Sequence, residues 1–163
     1  MKAIVIGTSL SGKTTLVRFL KEKTDFPLIE VDEELTRANS GTYPLDNKQK
    51  HTVLIPKIIK RVLNSNDIVF FTNTDYFTFE DLATARRNGF FIIQLSLDSE
   101  QLLKRNKFRV ENEGYSDLSQ WLERMVNYQT AIREKRLVDN IIDASQSTEE
   151  IATELIRLLS KNS

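Results

Sequence analysis

The chain contains no cysteine. That absence excludes disulfides and thiolate-bound metals, and it fits a reducing, cytoplasmic setting. There is one histidine, His51, and no partners for an imidazole metal centre or a histidine-based triad stand out around it. With 5 glycines and 3 prolines, the sequence has no linker or low-complexity stretch, which predicts one continuous domain over 1–163. No apolar run approaches membrane-spanning length. Lys plus Arg is 23 and Asp plus Glu is 23, so no global field draws the chain to a membrane or a nucleic-acid polymer. The first residues already read as a core strand, which predicts no secretory leader.

Two of the scarce glycines fall in one stretch. Gly7-Thr8-Ser9-Leu10-Ser11-Gly12-Lys13-Thr14 reads G-x-x-x-x-G-K-[ST], the phosphate-binding loop pattern. Before it, Ala3-Ile4-Val5-Ile6 is a short β-branched run, as a buried parallel strand requires. After it, Thr15 to Leu20 carries apolar residues at helical spacing. The chemistry explains the pattern. Gly7 and Gly12 let backbone N–H groups turn inward on an anion, and the helix N-terminus adds partial positive charge. Lys13 reaches the outer phosphates of ATP or GTP, and the Thr14 hydroxyl can ligate Mg²⁺. Residues 7–15 are therefore the expected nucleotide-binding segment.

The rest alternates strand and helix. Strands are expected at 26–31, 67–73, 90–97 and 137–142. Helices are expected at 48–64 (kinked or started by Pro56), 79–88, 100–107, 117–134 and 147–159. The stretch 37–47 reads as loop or broken helix, and the charged segment about 107–116 as a mobile lid. This alternation predicts a three-layer α/β/α sandwich around a five-stranded parallel sheet, with a short lid on a P-loop NTPase fold. The second strand ends in acids, Glu30 and Asp32, where open α/β sheets bind ligands. Alternate strand residues share a face, and a carboxylate near Lys13 and Mg²⁺ is expected to stay ionised and able to accept a proton.

With these elements placed, the chain resembles the P-loop small kinases, both the adenylate kinase-like nucleoside monophosphate kinases and the shikimate kinase-like enzymes. Leu28 to Leu35 is similar to the second strand of shikimate kinase-like enzymes. That likeness implies a following helix, Asp32 as general base for the acceptor, and Glu30 serving Mg²⁺ through water. Leu102 to Arg109 is similar to the entry into the kinase lid. It implies Arg105 stacked on the adenine and Arg109 on the transferring phosphates, against the alternative of a solvated basic face. Glu123 to Tyr128 resembles the helix after the lid of adenylate kinase-like enzymes, with Arg124 neutralising the phosphoryl in flight. Val138 to Ser145 resembles the last strand and turn, with Ala144 and Ser145 touching the base. The third strand ends Phe70-Phe71-Thr72-Asn73-Thr74-Asp75 and matches neither family pattern, so Asp75 is a further metal candidate or a turn cap. Arg37 and Arg86 or Arg87 are candidate anion holders for the acceptor, and Lys57 is a runner-up residue whose place depends on loop geometry. Trp121, Met125 and Tyr128 read as a packing face.

The resemblance implies an Mg²⁺-dependent kinase moving the γ-phosphoryl of ATP to a small-molecule acceptor. The arginine patterns favour a nucleoside monophosphate as acceptor. Glu30 and Asp32 favour the alternative, a small hydroxyl acceptor of the shikimate kinase type. A P-loop switch protein or an ATPase without acceptor is the reading from another class. A GTPase switch is disfavoured because no N-K-x-D motif follows a later strand.

Overall fold

The computed structural model describes residues 1–162, so the last residue of the expected 1–163 domain lies outside the described residues. Five strands form one parallel sheet in the order β2-β3-β1-β4-β5: β1 (Lys2–Gly7), β2 (Leu28–Glu30), β3 (Ile68–Asn73), β4 (Phe91–Ser96) and β5 (Asn140–Asp143). The helices are α1 (Lys13–Lys23), α2 (Val31–Ala38), α3 (Asn47–Gln49), α4 (Ile55–Leu63), α5 (Phe79–Arg87), α6 (Ser99–Glu113), α7 (Ser119–Glu134) and α8 (Thr148–Lys161).

Strand alternation splits the core in two. Ala3 and Val5 turn to one face, where they meet Leu16 and Leu20 of α1, Leu102 of α6 and Leu155 of α8. Ile4 and Ile6 turn to the other, against Leu35 of α2, Ile58 and Val62 of α4, and Leu82 of α5. Both faces of the sheet are therefore covered, which is why the strands read as unbroken apolar runs. β1 lies between β3 and β4, so the chain winds one way and then the other from it. The loop leaving β1 opens at that switch point, the place where such sheets take ligands.

Three expectations need correction. The second strand is short: β2 stops at Glu30, and Val31 already begins α2. Glu30 and Asp32 thus do not share a strand face. One closes β2, and the other lies in the first turn of α2, where acidic residues complement the helix N-terminus. The lid stretch is helical as far as Glu113, so α6 is six residues longer than the expected end at Lys107. Its i,i+4 pairs Lys107–Glu111 and Arg109–Glu113 support those added turns. Finally, 48–64 is helical but not uniformly so. A π-helical turn, Lys50–Leu54, joins α3 to α4, and the Ile55 N–H bonds back to Lys50. Pro56 follows directly and has no N–H to give residue 52, so the widened turn absorbs the missing bond.

Other signals hold. Gly89 follows α5 with φ 81°, and Ser147 with Glu150 forms a reciprocal cap at the start of α8. No helix among the described residues is long and apolar enough to cross a membrane.

Candidate active site

The loop between β1 and α1 wraps around its own lysine. Gly12 stands at the N-terminus of α1 with φ 79°, a conformation that favours glycine. A Cβ on Gly7 would collide with Ser11 Oγ and lie 3.3 Å from Leu95 Cβ, so β1 and the loop touch only because Gly7 has none. Ser11 N–H and Oγ both donate to Thr8 O, at 3.1 and 2.8 Å, closing the loop. Lys13 Nζ donates to Gly7 O at 3.0 Å and Thr8 O at 2.6 Å. Its side chain is only 6% exposed. Burial pulls the ammonium down to a pKa of about 8, against the pull of Asp32 and Glu30 in the other direction.

A cleft of about 550 Å³ opens over this loop. Its floor is Ser9, Leu10, Gly12, Lys13, Thr14 and Thr15, with Arg18 one turn further along α1. Glu30, Asp32 and Asn73 form one wall, and Arg109, Glu113, Tyr115 and Leu118 form the roof. Thr14 Oγ1 donates to Glu30 Oε1 at 2.6 Å. Asp32 Oδ1 is buried without a hydrogen-bond partner. Burial raises the Asp32 pKa above the usual aspartate range, while Lys13 and then Lys50 act to lower it. The attraction expected from Lys13 is present, but desolvation outweighs it, so the net shift is upward.

A hard-oxygen set of a threonine hydroxyl and two carboxylates suits Mg²⁺. Among the described residues no group of three or more histidines or acids is arranged to hold a metal by itself. A Mg²⁺ site of the phosphate-bridging kind needs only one or two protein ligands, so these residues fit the ion.

The arginines are distributed unevenly. Arg105 donates to Leu10 O and to Ala144 O, both at 2.8 Å. It therefore ties the phosphate loop to the turn after β5, and its edges are occupied while its faces remain for stacking. Ser145 is exposed, and its N–H and Oγ both donate to Asp143. Arg109 stacks on Tyr115, 3.8 Å from the ring centroid, above the cleft. Arg124 is elsewhere. It pairs with Asp75 at 2.6 Å and does not line the cleft with Lys13. Asp75 also lies outside that cleft, in a left-handed conformation with φ 66°. Tyr128 donates to Phe77 O at 2.7 Å, and Trp121 is 44% exposed.

Sequence reading passed over one group. Tyr43 and Tyr76 interact through their hydroxyls, and Asn73 reaches Tyr76 with its side chain. Both phenols are held protonated by burial, with Asp32 acting on each. Lys50 lies over the Tyr43 ring at 5.6 Å, and the His51 ring meets Tyr76 edge-on at 5.4 Å. These residues come from three separate segments, and no local pattern announces them. A lone tyrosine in the polar stretch 37–47 was the one available signal.

Comparison with solved structures fixes the architecture. The chain is similar to shikimate kinase from Aquifex aeolicus, with a TM-score of 0.68 and 19% identity over 99% of this chain and 98% of that one. A shikimate kinase from Bacteroides thetaiotaomicron gives a TM-score of 0.71 at 16% identity, covering 98% of each chain. The fold is that of the P-loop small kinases. A gluconokinase from Sinorhizobium meliloti shares it, with a TM-score of 0.64 and 20% identity over 98% of this chain and 92% of that one. No protein-family model matches the chain, and no curated protein matches it.

Proposed function

We propose that the chain is an ATP-dependent kinase that phosphorylates a hydroxyl of a small molecule. The observation that carries this reading is the cleft itself. Lys13, the Thr14–Glu30 pair and Asp32 with its unpartnered buried oxygen line one wall-to-floor surface. A lysine, a hydroxyl–carboxylate pair and a second carboxylate lining one cavity support phosphate holding, metal holding and proton acceptance there. The fold neighbours named as shikimate kinases and a gluconokinase support a hydroxyl acceptor over the nucleoside monophosphate that the arginine patterns favoured.

The loop amides and Lys13 hold the outer phosphates of ATP. Thr14 and Glu30 would hold Mg²⁺, which when bound supplies charge neutralisation on the phosphates. Asp32, its basicity raised by burial, accepts the proton of the acceptor hydroxyl. Arg109 lies over the cleft and reaches the transferring phosphates, and with Tyr115 it limits water entry. Arg105 sets the loop against the turn that flanks the base. Phosphoryl transfer asks the protein mainly for positioning and charge, and this inventory meets that need.

The test is ADP formation from Mg·ATP with and without candidate acceptors. A kinase releases ADP well above background with at least one acceptor. Lys13→Ala should abolish that release while leaving the circular dichroism spectrum unchanged. Tight ATP binding with turnover at background for every acceptor would sink the assignment in favour of a switch protein or a simple ATPase.

A further inference from the structure

Thr14, Arg18 and Lys21 share one face of α1, at i, i+4 and i+7. The outer two are engaged by acids of β2 and α2. Thr14 Oγ1 donates to Glu30 at 2.6 Å, and Lys21 Nζ pairs with Glu33 at 2.9 Å. Arg18, between them, is exposed and has no hydrogen-bond or ion-pair partner among the described residues, yet it lines the cleft with Thr14, Thr15 and Glu30. The other cations lining that cleft are committed. Lys13 donates to Gly7 O and Thr8 O. Arg109 stacks on Tyr115 and lies 3.6 Å from Glu113 Oε2. Among the residues lining the cleft, only Arg18 offers a cation with all of its N–H donors free.

Its direction follows from helix geometry. Long side chains on a helix lean toward its N-terminus, over the preceding turn. For Arg18 that turn carries Thr14, at a Cβ separation of roughly 5–6 Å for this spacing. The guanidinium therefore leans toward the end of α1 where the loop amides and Thr14 would take phosphates. Lys13 approaches from the opposite side. Five residues of helix place Arg18 about 140° around the axis from Lys13. The ammonium lies inward beneath the loop, and the guanidinium lies on the open rim. On the kinase reading, the phosphate beside Thr14 and Asp32 is the terminal one, and it is the group that leaves. Arg124, expected from the sequence to neutralise that group, is held by Asp75 outside the cleft, so the task falls to residues inside it. A planar guanidinium suits it, because its fork takes two phosphate oxygens at once.

We infer that Arg18 binds the terminal phosphoryl group of the nucleotide, opposite Lys13, and so makes the site favour a triphosphate over a diphosphate. The inference rests on the kinase reading above and adds a binding residue to it. Arg109 comes from the roof and Arg18 from the floor, so two forks from two elements hold the group between them. The contact needs no acceptor and is read in nucleotide binding alone.

Calorimetry measures Kd for the β,γ-imido analogue of ATP with Mg²⁺, and for ADP with Mg²⁺, on wild type, Arg18→Ala and Arg18→Lys. Circular dichroism checks the fold, which a change at this exposed position should leave intact. ADP release from Mg·ATP is followed in parallel with D-gluconate, shikimate, D-glucose and myo-inositol as acceptors. Arg18→Ala should weaken binding of the imido analogue by about tenfold or more and of ADP by about threefold or less, so the ratio of the two Kd values shifts by at least about threefold. Arg18→Lys keeps the charge without the fork and should fall between. An unchanged ratio in Arg18→Ala overturns the inference, and ADP release then decides the kinase reading by itself. Equal weakening of both nucleotides also overturns it, because the contact then lies on the inner phosphates. A shifted ratio with ADP release at background for every acceptor upholds the Arg18 contact and overturns the kinase reading. Failure of wild type to bind either nucleotide overturns both.

Discussion

Burial moves Lys13 and Asp32 in opposite directions, and on the proposed mechanism the two together set the pH range in which the site works. The Lys13 ammonium is pulled down to about 8 in the free protein. The Asp32 carboxyl is raised above the usual aspartate range. On the proposed mechanism, transfer needs Lys13 protonated and Asp32 ionised. The profile of kcat/KM against pH should therefore be bell-shaped, because that ratio reports the free enzyme. Its acid limb belongs to Asp32 and its alkaline limb falls through about 8 as Lys13 loses its proton. Asp32→Asn should lower kcat by roughly 10²–10⁴-fold and remove the acid limb while the alkaline limb stays. An unchanged acid limb in that variant would assign the base to another group.

At the scale of elements, Arg105 carries the clearest consequence. From α6 it grips the phosphate loop at Leu10 and the turn after β5 at Ala144. Each hydrogen bond from a charged donor contributes about 1.5–3 kcal/mol. Arg105→Ala should raise KM for ATP by about tenfold or more with a smaller change in kcat. Arg105→Lys should not restore it, since one ammonium cannot reproduce the planar fork that spans two carbonyls. Kinetics with ATP as the varied substrate decide the point. Asn106, its neighbour, is a structural counterpart. It is 6% exposed, donates to Asp117 Oδ1 at 2.7 Å and accepts from the Leu118 N–H at 2.9 Å, so it fixes the α6–α7 junction. Asn106→Ala leaves the Leu118 N–H without that acceptor and should lower stability by about 1–3 kcal/mol, read from urea denaturation. These two residues also mark where sequence reading succeeded and where it failed. The loop between β1 and α1 was legible because its G-x-x-x-x-G-K-T pattern is written in eight consecutive residues. The five strands were legible because both sheet faces are covered. The extension of α6 was hidden by Gly114 and by a charged composition that suits a loop as well as an exposed helix with i,i+4 pairs. The shared strand face of Glu30 and Asp32 failed because the helix starts one residue after β2 ends, which period-two reasoning cannot see. Tyr43, Asn73 and Tyr76 stayed invisible because folding alone brings them together.

For the whole molecule, the buried lysine couples ligand binding to folding. Below about pH 8 the free protein holds a charged ammonium out of water, and the unfolded chain does not. Between about 8 and 10.5 the unfolded chain binds more protons than the folded one, so this lysine makes stability rise with pH. Its relative contribution is complete above 10.5 and is gone once the pH has fallen through about 8. One pKa unit corresponds to about 1.4 kcal/mol, so the swing is on the order of 3 kcal/mol. Lys13→Met lacks it. The difference in unfolding free energy between wild type and Lys13→Met should therefore change by that amount from pH 7.5 to 10.5, while tyrosines and other lysines titrate in both and cancel. Bound phosphates remove the swing, because an ammonium with anionic partners keeps its proton. At roughly a hundred times its Kd, Mg·ATP should stabilise the wild type by about 2.7 kcal/mol near neutral pH, or roughly 5–10 °C in Tm for a domain of this size. Lys13→Met should show little of that shift. Thermal and urea unfolding of the two proteins, with and without Mg·ATP, measure both effects. A pH-independent difference between them would mean that Lys13 is no harder to charge in the folded protein than in the unfolded chain.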